Sequence, residues 1–136
     1  MNPLVLVVDS DPSIARLTGA QVGLWNPAAT IVTMADSIAA VEVIELKAPD
    51  LLIAEVNMLG ITGPELALLY RKCHENGPVV LVSAQEALRD QCLDFGSSRT
   101  RYLSRPWSVA EFLTQLNELL ADDPRASIRA GSSRLL

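Results

Sequence analysis

The sequence PDLLIAEVNMLGITGPEL, residues 49–66, decides the fold of this chain. It begins with a short apolar run, Leu51 to Ala54, in which apolar and polar residues do not alternate. Such a run is typical of a strand that is covered on both faces, as in a parallel sheet. The run ends at Glu55, which places one carboxylate at the carboxyl end of a buried strand. Ligands of open α/β sheets bind outside these strand ends, so Glu55 is the first candidate for a functional residue.

The pattern of an apolar strand followed by a helix recurs along the chain. Thr62 and Glu65 fit a capping box, and Pro64 suits the first turn of the helix that follows the opening stretch. Further strands are predicted at residues 4–8, 30–34, 79–82 and 102–103, and further helices begin near residues 12, 37, 85 and 108. Five strands that alternate with five helices predict right-handed crossovers. The predicted fold is a doubly wound α/β sandwich of three layers around a five-stranded parallel sheet.

Two of these helices have apolar residues at roughly helical spacing. Because apolar residues usually face the core, we expect these side chains to be buried. In the first helix they are Ile14, Leu17, Val22 and Leu24, and in the second they are Ile38, Val41, Ile44 and Leu46.

Composition limits the classes of function. The 136 residues are 49% apolar and 20% charged, which indicates one globular domain. No apolar run approaches the roughly 18 residues that cross a bilayer, and no secretion signal opens the chain. The net charge of −5 argues against nucleic-acid binding by this domain, and one His with two Cys is too few for a zinc site. We expect a cytoplasmic protein with reduced thiols, a domain over residues 1–122, and a flexible tail or linker to an effector domain over 123–136.

Polar groups follow the apolar strands at what should be one edge of the sheet. Asp9 and Asp11 follow the first strand, Glu55 ends the third, Ser83 follows the fourth and Arg105 follows the fifth. Three carboxylates, a hydroxyl and a cation are a plausible site for magnesium and phosphate, because magnesium prefers oxygen ligands. Each group also has a simpler explanation. Asp11 and Ser83 suit helix caps, Ser83 together with Glu86, and a single arginine is usually a surface charge.

Four motifs in order resemble the receiver domains of two-component response regulators over residues 3–121. They are VVDSDPS at 7–13, the opening stretch, VLVSA at 80–84 and YLSRPW at 102–107. The resemblance implies a flavodoxin-like fold and a signalling role rather than an enzyme. It places Glu55 at the phosphoacceptor position and Arg105 at the position of the family's lysine. It further implies an acidic pocket of Asp9, Ser10 and Asp11, switch residues Ser83 and Tyr102, and magnesium ligands Asp9, Asp11, Glu55 and Asn57 if metal binding survives.

The departures from the family pattern predict altered chemistry. Glu55 replaces an aspartate, Ser10 replaces the second carboxylate of the acidic pair, Arg105 replaces the lysine and Leu59 replaces a proline. Glutamate carries its carboxylate roughly 1 Å farther out, and a misplacement of that size can slow a reaction about 100-fold. Arginine can bind a carboxylate through two parallel hydrogen bonds, so we expect a standing Arg105–Glu55 ion pair. This pair would replace the phosphoryl-dependent contact and hold Ser83 and Tyr102 permanently in an active-like arrangement.

The prediction is therefore a phosphorylation-independent pseudo-receiver without a cofactor. One alternative is a working receiver that binds magnesium and a phosphoryl group in a phosphorelay. Another is a small flavodoxin-like binding or enzyme domain, which the lack of a phosphate-binding loop after Val8 disfavours. The resemblance implies that a protein partner or a second copy binds the face of the fourth helix, fifth strand and fifth helix. The expected contact residues there are Arg89, Arg99, Arg101, Trp107 and Glu111, with no nucleic acid and no membrane as partner.

Overall fold

The computed structural model describes residues 2–93 and 99–121, which form a five-stranded parallel sheet between two helical layers. The strand order is β2-β1-β3-β4-β5, and all four neighbouring pairs are parallel. The predicted fold class is confirmed. The strands are β1 (Leu4–Val8), β2 (Thr30–Met34), β3 (Leu51–Glu55), β4 (Val79–Ser83) and β5 (Thr100–Ser104). The helices are α1 (Pro12–Trp25), α2 (Ser37–Lys47), α3 (Gly63–Cys73), α4 (Arg89–Leu93, after a 3₁₀ turn at Glu86–Leu88) and α5 (Val109–Leu119).

The central strands supply side chains to two separate apolar cores. Leu52 and Ala54 of β3 point into a core with Leu66 and Tyr70 of α3. Ile53 points to the opposite side, into a core with residues of α1 and α5. Successive side chains of a strand point to opposite faces, so a strand between two cores must be apolar at every position. This requirement explains the continuous apolar run from Leu51 to Ala54.

The predicted buried side of α1 is partly wrong. Leu17 and Leu24 are 60% and 66% exposed, whereas α1 buries Ala15, Thr18, Gly19 and Val22. A Cβ atom on Gly19 would lie only 3.1 Å from a methyl group of Thr33 in β2. The helix therefore packs close to the sheet through its small residues, and the larger leucines are left on its outer side.

The second helix differs from the prediction in the same way. Ile38 and Leu46 are exposed, at 61% and 74%, and the buried residues of α2 are Ser37, Ala40 and Ile44. These three lie at positions i, i+3 and i+7, which is one face of a helix. The inward positions thus hold two small side chains, Ser37 and Ala40, and one large one, Ile44.

Other predictions concern the ends of the chain and the cysteines. The proposed tail over residues 123–136 lies outside the described residues. So does the end of the fourth helix, which the sequence predicts over about residues 85–95. Cys73 is exposed and Cys92 is buried, and both are free thiols in the structure. Within the described ranges, no helix has both the length and the apolar character needed to span a membrane.

Candidate functional site

Asp9 is the buried carboxylate of the site, directly after β1. Asp9 as a whole residue is 2% exposed, and its backbone N–H donates to Met34 O at 3.0 Å. Its Oδ1 accepts a hydrogen bond from the backbone N–H of Asp11 at 2.9 Å. Asp11 itself caps α1 by accepting from the N–H of Ser13 at 2.9 Å. Asp11 is therefore a helix cap, which is the simpler of the two roles that the sequence predicts for it.

Glu55 and Ser10 form a close pair at the ends of β3 and β1. Glu55 Oε1 accepts from the backbone N–H of Ser10 at 2.9 Å and from its hydroxyl at 2.6 Å. A carboxylate at position 10 would repel Glu55, whereas a hydroxyl donates to it. The two unusual residues thus compensate for one another, with Ser10 supplying two donors to the longer carboxylate.

Arg105 lies closer to Asp9 than to Glu55. One terminal nitrogen, Nη2, donates to Asp9 Oδ2 at 2.7 Å and lies 3.8 Å from Glu55 Oε2. The expected Arg105–Glu55 ion pair is present only as this 3.8 Å contact. The prediction that Arg105 binds Glu55 through two parallel hydrogen bonds is wrong. Nη2 reaches the buried aspartate first, while Glu55 Oε1 is already engaged by Ser10. The guanidinium therefore lies between the two carboxylates of the site.

The environment of Asp9 changes its acidity. Burial raises the pKa of Asp9 above its usual range, and this is the largest effect. The Asp11 N–H and the Arg105 charge oppose that rise in the pKa, and the neighbouring Glu55 carboxylate adds to it. Asp9 is therefore a desolvated carboxyl whose ionised form depends on Arg105.

Ser83 and Tyr102 are both buried and both bind the segment that follows β4. Ser83 Oγ accepts from the N–H of Gln85 at 3.0 Å, and Ser83 O accepts from the N–H of Arg105 at 2.8 Å. The hydroxyl of Tyr102 donates to Gln85 O. Ser83 does not form the predicted capping box with Glu86, because that carboxylate binds other residues.

Glu86, Arg89, Tyr102 and Ser104 form a set of contacts that we call the Tyr102 latch, which the sequence analysis missed. Arg89 Nη1 donates to Tyr102 O at 3.0 Å, and its guanidinium lies 5.0 Å from the centre of the Tyr102 ring. Arg89 Nε donates to Glu86 Oε1 at 2.7 Å, and Ser104 Oγ donates to Glu86 Oε2. A Glu and an Arg three residues apart gave a helical signal, but nothing in the sequence linked them to β5.

Two of the predicted interface residues make intramolecular contacts instead. Arg89 belongs to the Tyr102 latch. Trp107 stacks on Phe112 with ring centres 5.9 Å apart, and its Nε1 donates to Gln21 Oε1 at 2.8 Å. Trp107 therefore packs against α1 and α5. Of the remaining predicted residues, Arg99 and Arg101 are partly buried and Glu111 is exposed.

His74 lies away from these strand ends. Its Nδ1 is 3.0 Å from the hydroxyl of the buried Tyr70 and 3.2 Å from Pro49 O. The same hydroxyl donates to Pro49 O at 2.6 Å. Pro49 precedes β3, so the histidine closes the end of the sheet opposite Glu55 and has no part in the site.

Comparison with known proteins matches residues 5–117 to the model of the response regulator receiver domain. The chain belongs to this family. Its relatives include the probable transcriptional regulatory protein TcrX of Mycobacterium tuberculosis, 25% identical over 94% of this chain and 54% of the relative. The alkaline phosphatase synthesis transcriptional regulatory protein PhoP of Bacillus subtilis is 27% identical over 99% of this chain and 54% of its own length. The receiver chain spans about half the length of these curated relatives.

Solved receiver domains share the fold. The receiver domain of the Francisella response regulator 1452 has a TM-score of 0.73 and 27% identity, covering 88% of this chain and 98% of that one. The receiver domain of the sensor histidine kinase PA1611 from Pseudomonas aeruginosa has a TM-score of 0.74 and 20% identity, over 90% and 100% of the two chains. That structure has a magnesium ion coordinated in its active-site cleft.

The side chains of this receiver domain do not offer magnesium a ready set of ligands. Asp9 Oδ2 is bound to Arg105 and Glu55 Oε1 to Ser10. Asp11 caps α1. Asn57, which was predicted to contribute its backbone carbonyl rather than its side chain, is exposed. Across residues 2–93 and 99–121, no three His, Cys, Asp or Glu side chains form a group that could hold a metal ion. A divalent cation would have to displace the guanidinium of Arg105, so the predicted magnesium ligands do not fit the metal as they stand.

Proposed function

We propose that this receiver domain signals without phosphorylation, as a protein-interaction module. The observation that carries the proposal is the position of Arg105, 2.7 Å from Asp9 and 3.8 Å from Glu55. A fixed cation between two carboxylates does part of the work that a metal ion does in a phosphoryl-transfer site. The guanidinium of Arg105 thus partly neutralises the two carboxylates of this pocket.

The state of Glu55 supports the same proposal. A carboxylate attacks phosphorus through an oxygen lone pair, and two Ser10 donors engage Oε1. Phosphoryl transfer depends on the position of the nucleophile against the metal and the leaving group. A longer side chain, tied to Ser10 and beside a guanidinium, is poorly placed for that attack. We therefore assign Glu55 a structural role in the pocket.

The output of such a module is its surface. Tyr102 is 2% exposed, and it is held by Gln85 O and by Arg89. We propose that the Tyr102 latch keeps the face of α4, β5 and α5 in one form, available to a protein partner or to a downstream domain. Arg99, Arg101 and Glu111 are the predicted contact residues of this face that belong neither to the Tyr102 latch nor to the packing of Trp107.

The test compares the wild-type domain with a variant that restores the family residues, Ser10→Asp/Glu55→Asp/Arg105→Lys. Amide NMR spectra are recorded without additives, then with magnesium, then with magnesium and beryllofluoride as a phosphoryl mimic. We expect the wild-type amides of Glu55, Ser83 and Arg105 to stay in place and those of the restored variant to shift. Shifts in the wild-type domain that extend to Tyr102 would overturn the proposal.

A second candidate is a working receiver in a phosphorelay. Asp9 and Ser83 favour it, because each has the residue type that the family pattern requires and lies at the end of the corresponding strand. In that case magnesium and beryllofluoride displace Arg105 from Asp9, and the wild-type spectra follow those of the restored variant. The same titration therefore separates the two candidates.

A further inference from the structure

The strand β2 lies at one edge of the sheet, where β1 is its only neighbour among the described strands. The N–H of Thr30 donates to Pro3 O at 2.8 Å, and Met34 O accepts from the N–H of Asp9 at 3.0 Å. Successive residues of a paired strand direct their backbone groups to opposite sides. Residues 30, 32 and 34 therefore bond to β1, and residues 31 and 33 direct their N–H and C=O groups away from the sheet.

This edge is open. Within residues 2–93 and 99–121, the outward N–H and C=O groups of Ile31 and Thr33 make no hydrogen bond. Proteins usually guard an exposed edge with a charged residue, a proline or a bulge. Residues 28–35 contain no charged residue and no proline, and the register with β1 is continuous. Two donors and two acceptors are thus available to an extended segment of another molecule.

A groove of about 160 Å³ lies between α1 and the end of this edge strand. The helix runs close to the strand because Gly19 has no side chain. A Cβ atom there would lie 3.1 Å from Thr33 Cγ2 and 3.2 Å from Ile31 Cγ2, so both side chains lie on the α1 face of the sheet. The groove opens on that same face, and it is lined by Pro12, Ala15, Arg16, Thr33, Met34 and Ala35.

Arg16 gives this groove a positive charge. It is the only charged residue of α1, it is exposed, and its guanidinium only approaches Ser13 Oγ, at 3.4 Å. The carboxylates of Asp11 and Asp36, which flank the lining residues in sequence, bind backbone N–H groups as helix caps. A side chain that enters the groove beside Arg16 is therefore favoured when it carries a negative charge.

We propose that β2 is the docking edge for an extended acidic segment of a partner protein, which adds to the sheet as an antiparallel strand. Antiparallel pairs are slightly more stable per residue than parallel ones. The partner residues opposite Thr33 and Ile31 exchange N–H···O bonds with them and direct their side chains to the α1 face. The first of these is an acid that reaches Arg16. The second, two positions later, is an apolar residue that packs beside the half-buried Ile31.

The recognised pattern is therefore acid-x-apolar in an extended segment. Four main-chain hydrogen bonds supply the affinity, and the groove with Arg16 supplies the specificity. The strands β2 and β5 are the opposite edges of the sheet. The docking edge is thus separate from the α4–β5–α5 face, and its existence does not depend on signalling without phosphorylation.

Amide hydrogen exchange of the full chain tests whether the edge is open. We expect the amides of Ile31 and Thr33 to exchange at least about tenfold faster than those of Val32 and Met34, because only the latter two donate to β1. Slow exchange at all four residues would show that the edge is already covered and would overturn the proposal.

The peptide acetyl-Thr-Glu-Thr-Val-Thr-amide, titrated into the full chain, tests strand addition. In amide NMR spectra we expect saturable shifts that are largest at Ile31 and Thr33 and absent at Glu55, with a dissociation constant of about 1 mM. N-methylation of the valine removes its donor to Ile31 O and should abolish binding. N-methylation of the central threonine, whose N–H faces away from β2, is the matched control. A flat titration to about 10 mM, or equal losses from both methylations, contradicts strand addition.

A charge exchange tests the role of Arg16. Arg16→Glu should weaken binding of the glutamate peptide about two- to fivefold and favour a peptide with lysine in place of glutamate. The matched control is Lys72→Glu, an exposed lysine on α3, which should leave both affinities unchanged. Equal effects of the two variants would remove the acidic partner from the proposal. Shifts at Ile31 and Thr33 that grow with protein concentration alone would assign the edge to a second copy and overturn it.

Discussion

The guanidinium of Arg105 donates to the buried carboxylate of Asp9 at 2.7 Å, although the two residues are 96 positions apart in the chain. Asp9 follows β1 and Arg105 follows β5, and β3 and β4 lie between those strands in the sheet. Three strand spacings amount to about 14 Å. The long arginine side chain, the 2.7 Å hydrogen bond and the aspartate side chain together span this distance, which is how a residue after the edge strand reaches the centre of the site.

Double-mutant cycles measure which carboxylate Arg105 stabilises. With Asp9→Asn and Arg105→Gln, we expect a coupling free energy of about 1–3 kcal/mol in urea unfolding, because the pair is close and Asp9 is buried. With Glu55→Gln and Arg105→Gln, we expect less than about 0.5 kcal/mol, because the contact is longer and Ser10 already binds Glu55. Equal couplings would show that the guanidinium serves both carboxylates alike.

The pKa of Asp9 responds to its two charged neighbours in opposite directions. The pKa is already above the ordinary value of 3.8, mainly through burial. Arg105→Gln removes a cation and raises it further, and Glu55→Gln removes a negative charge and lowers it. Carbon-13 NMR of the Asp9 carboxyl group over a pH titration measures both changes. A shift of the same sign in the two variants contradicts the assignment.

The raised pKa also sets a pH dependence of stability. The folded state holds the Asp9 proton more tightly than the unfolded state, so the free energy of unfolding falls as the pH rises from the unfolded pKa through the folded one. Above both pKa values this contribution to the free energy of unfolding is fully lost and no longer changes with pH. In Asp9→Asn this component is absent, which a comparison of urea unfolding curves across that pH range checks. A steeper fall in the variant contradicts this account.

Arg89 stabilises the Tyr102 latch. Arg89→Ala removes its hydrogen bond to Tyr102 O and its contact with the aromatic ring, so we expect a loss of about 0.5–1.5 kcal/mol in the free energy of unfolding. The NMR signals of the Tyr102 ring should shift at the same time. The matched control is Arg16→Ala, an exposed arginine whose side chain only approaches Ser13 Oγ at 3.4 Å. Its effect should stay within about 0.5 kcal/mol, and an equal loss in both variants argues against the latch.

Gly63 sets the distance between α3 and the strand that carries Glu55. A Cβ atom at Gly63 would lie 2.3 Å from Glu55 O, a backbone atom that cannot move aside alone. We expect Gly63→Ala to lower the free energy of unfolding by about 2 kcal/mol or more. The control is Gly23→Ala in α1, where the nearest atom is a side-chain methyl 3.9 Å away. That change should be neutral or raise stability by up to about 1 kcal/mol. Equal effects in thermal unfolding would show that the approach at Gly63 is not limiting.

The parts of the fold that depend on neighbours in the chain were predictable from sequence. The apolar run before Glu55 predicted a buried strand, and Thr62 with Glu65 predicted a helix cap that the structure contains. Both signals are local, because a strand end and a cap each involve only a few consecutive residues. The convergence of Asp9, Glu55 and Arg105 also followed, since parallel strands end at one edge of a sheet.

The exact partners within the site and the buried sides of two helices were not predictable. The reach of Arg105 to Asp9 depends on the order of the strands and on which carboxylate is already engaged. Leu17 and Leu24 looked like core residues because they are apolar. How closely α1 approaches the sheet decides which side is buried, and the small Gly19 sets that distance through contacts with β2. The Tyr102 latch likewise joins α4 to a strand that only the fold brings near.

Arg89 also has a consequence for the outermost strand. Among the described strands, β5 has a neighbour on one side only, so its outward backbone groups are a template on which a strand of another molecule can add. The guanidinium of Arg89 occupies one of these groups, the carbonyl of Tyr102. A charged side chain at that carbonyl obstructs edge-to-edge pairing, so the contact that holds the tyrosine inward also protects the sheet from aggregation.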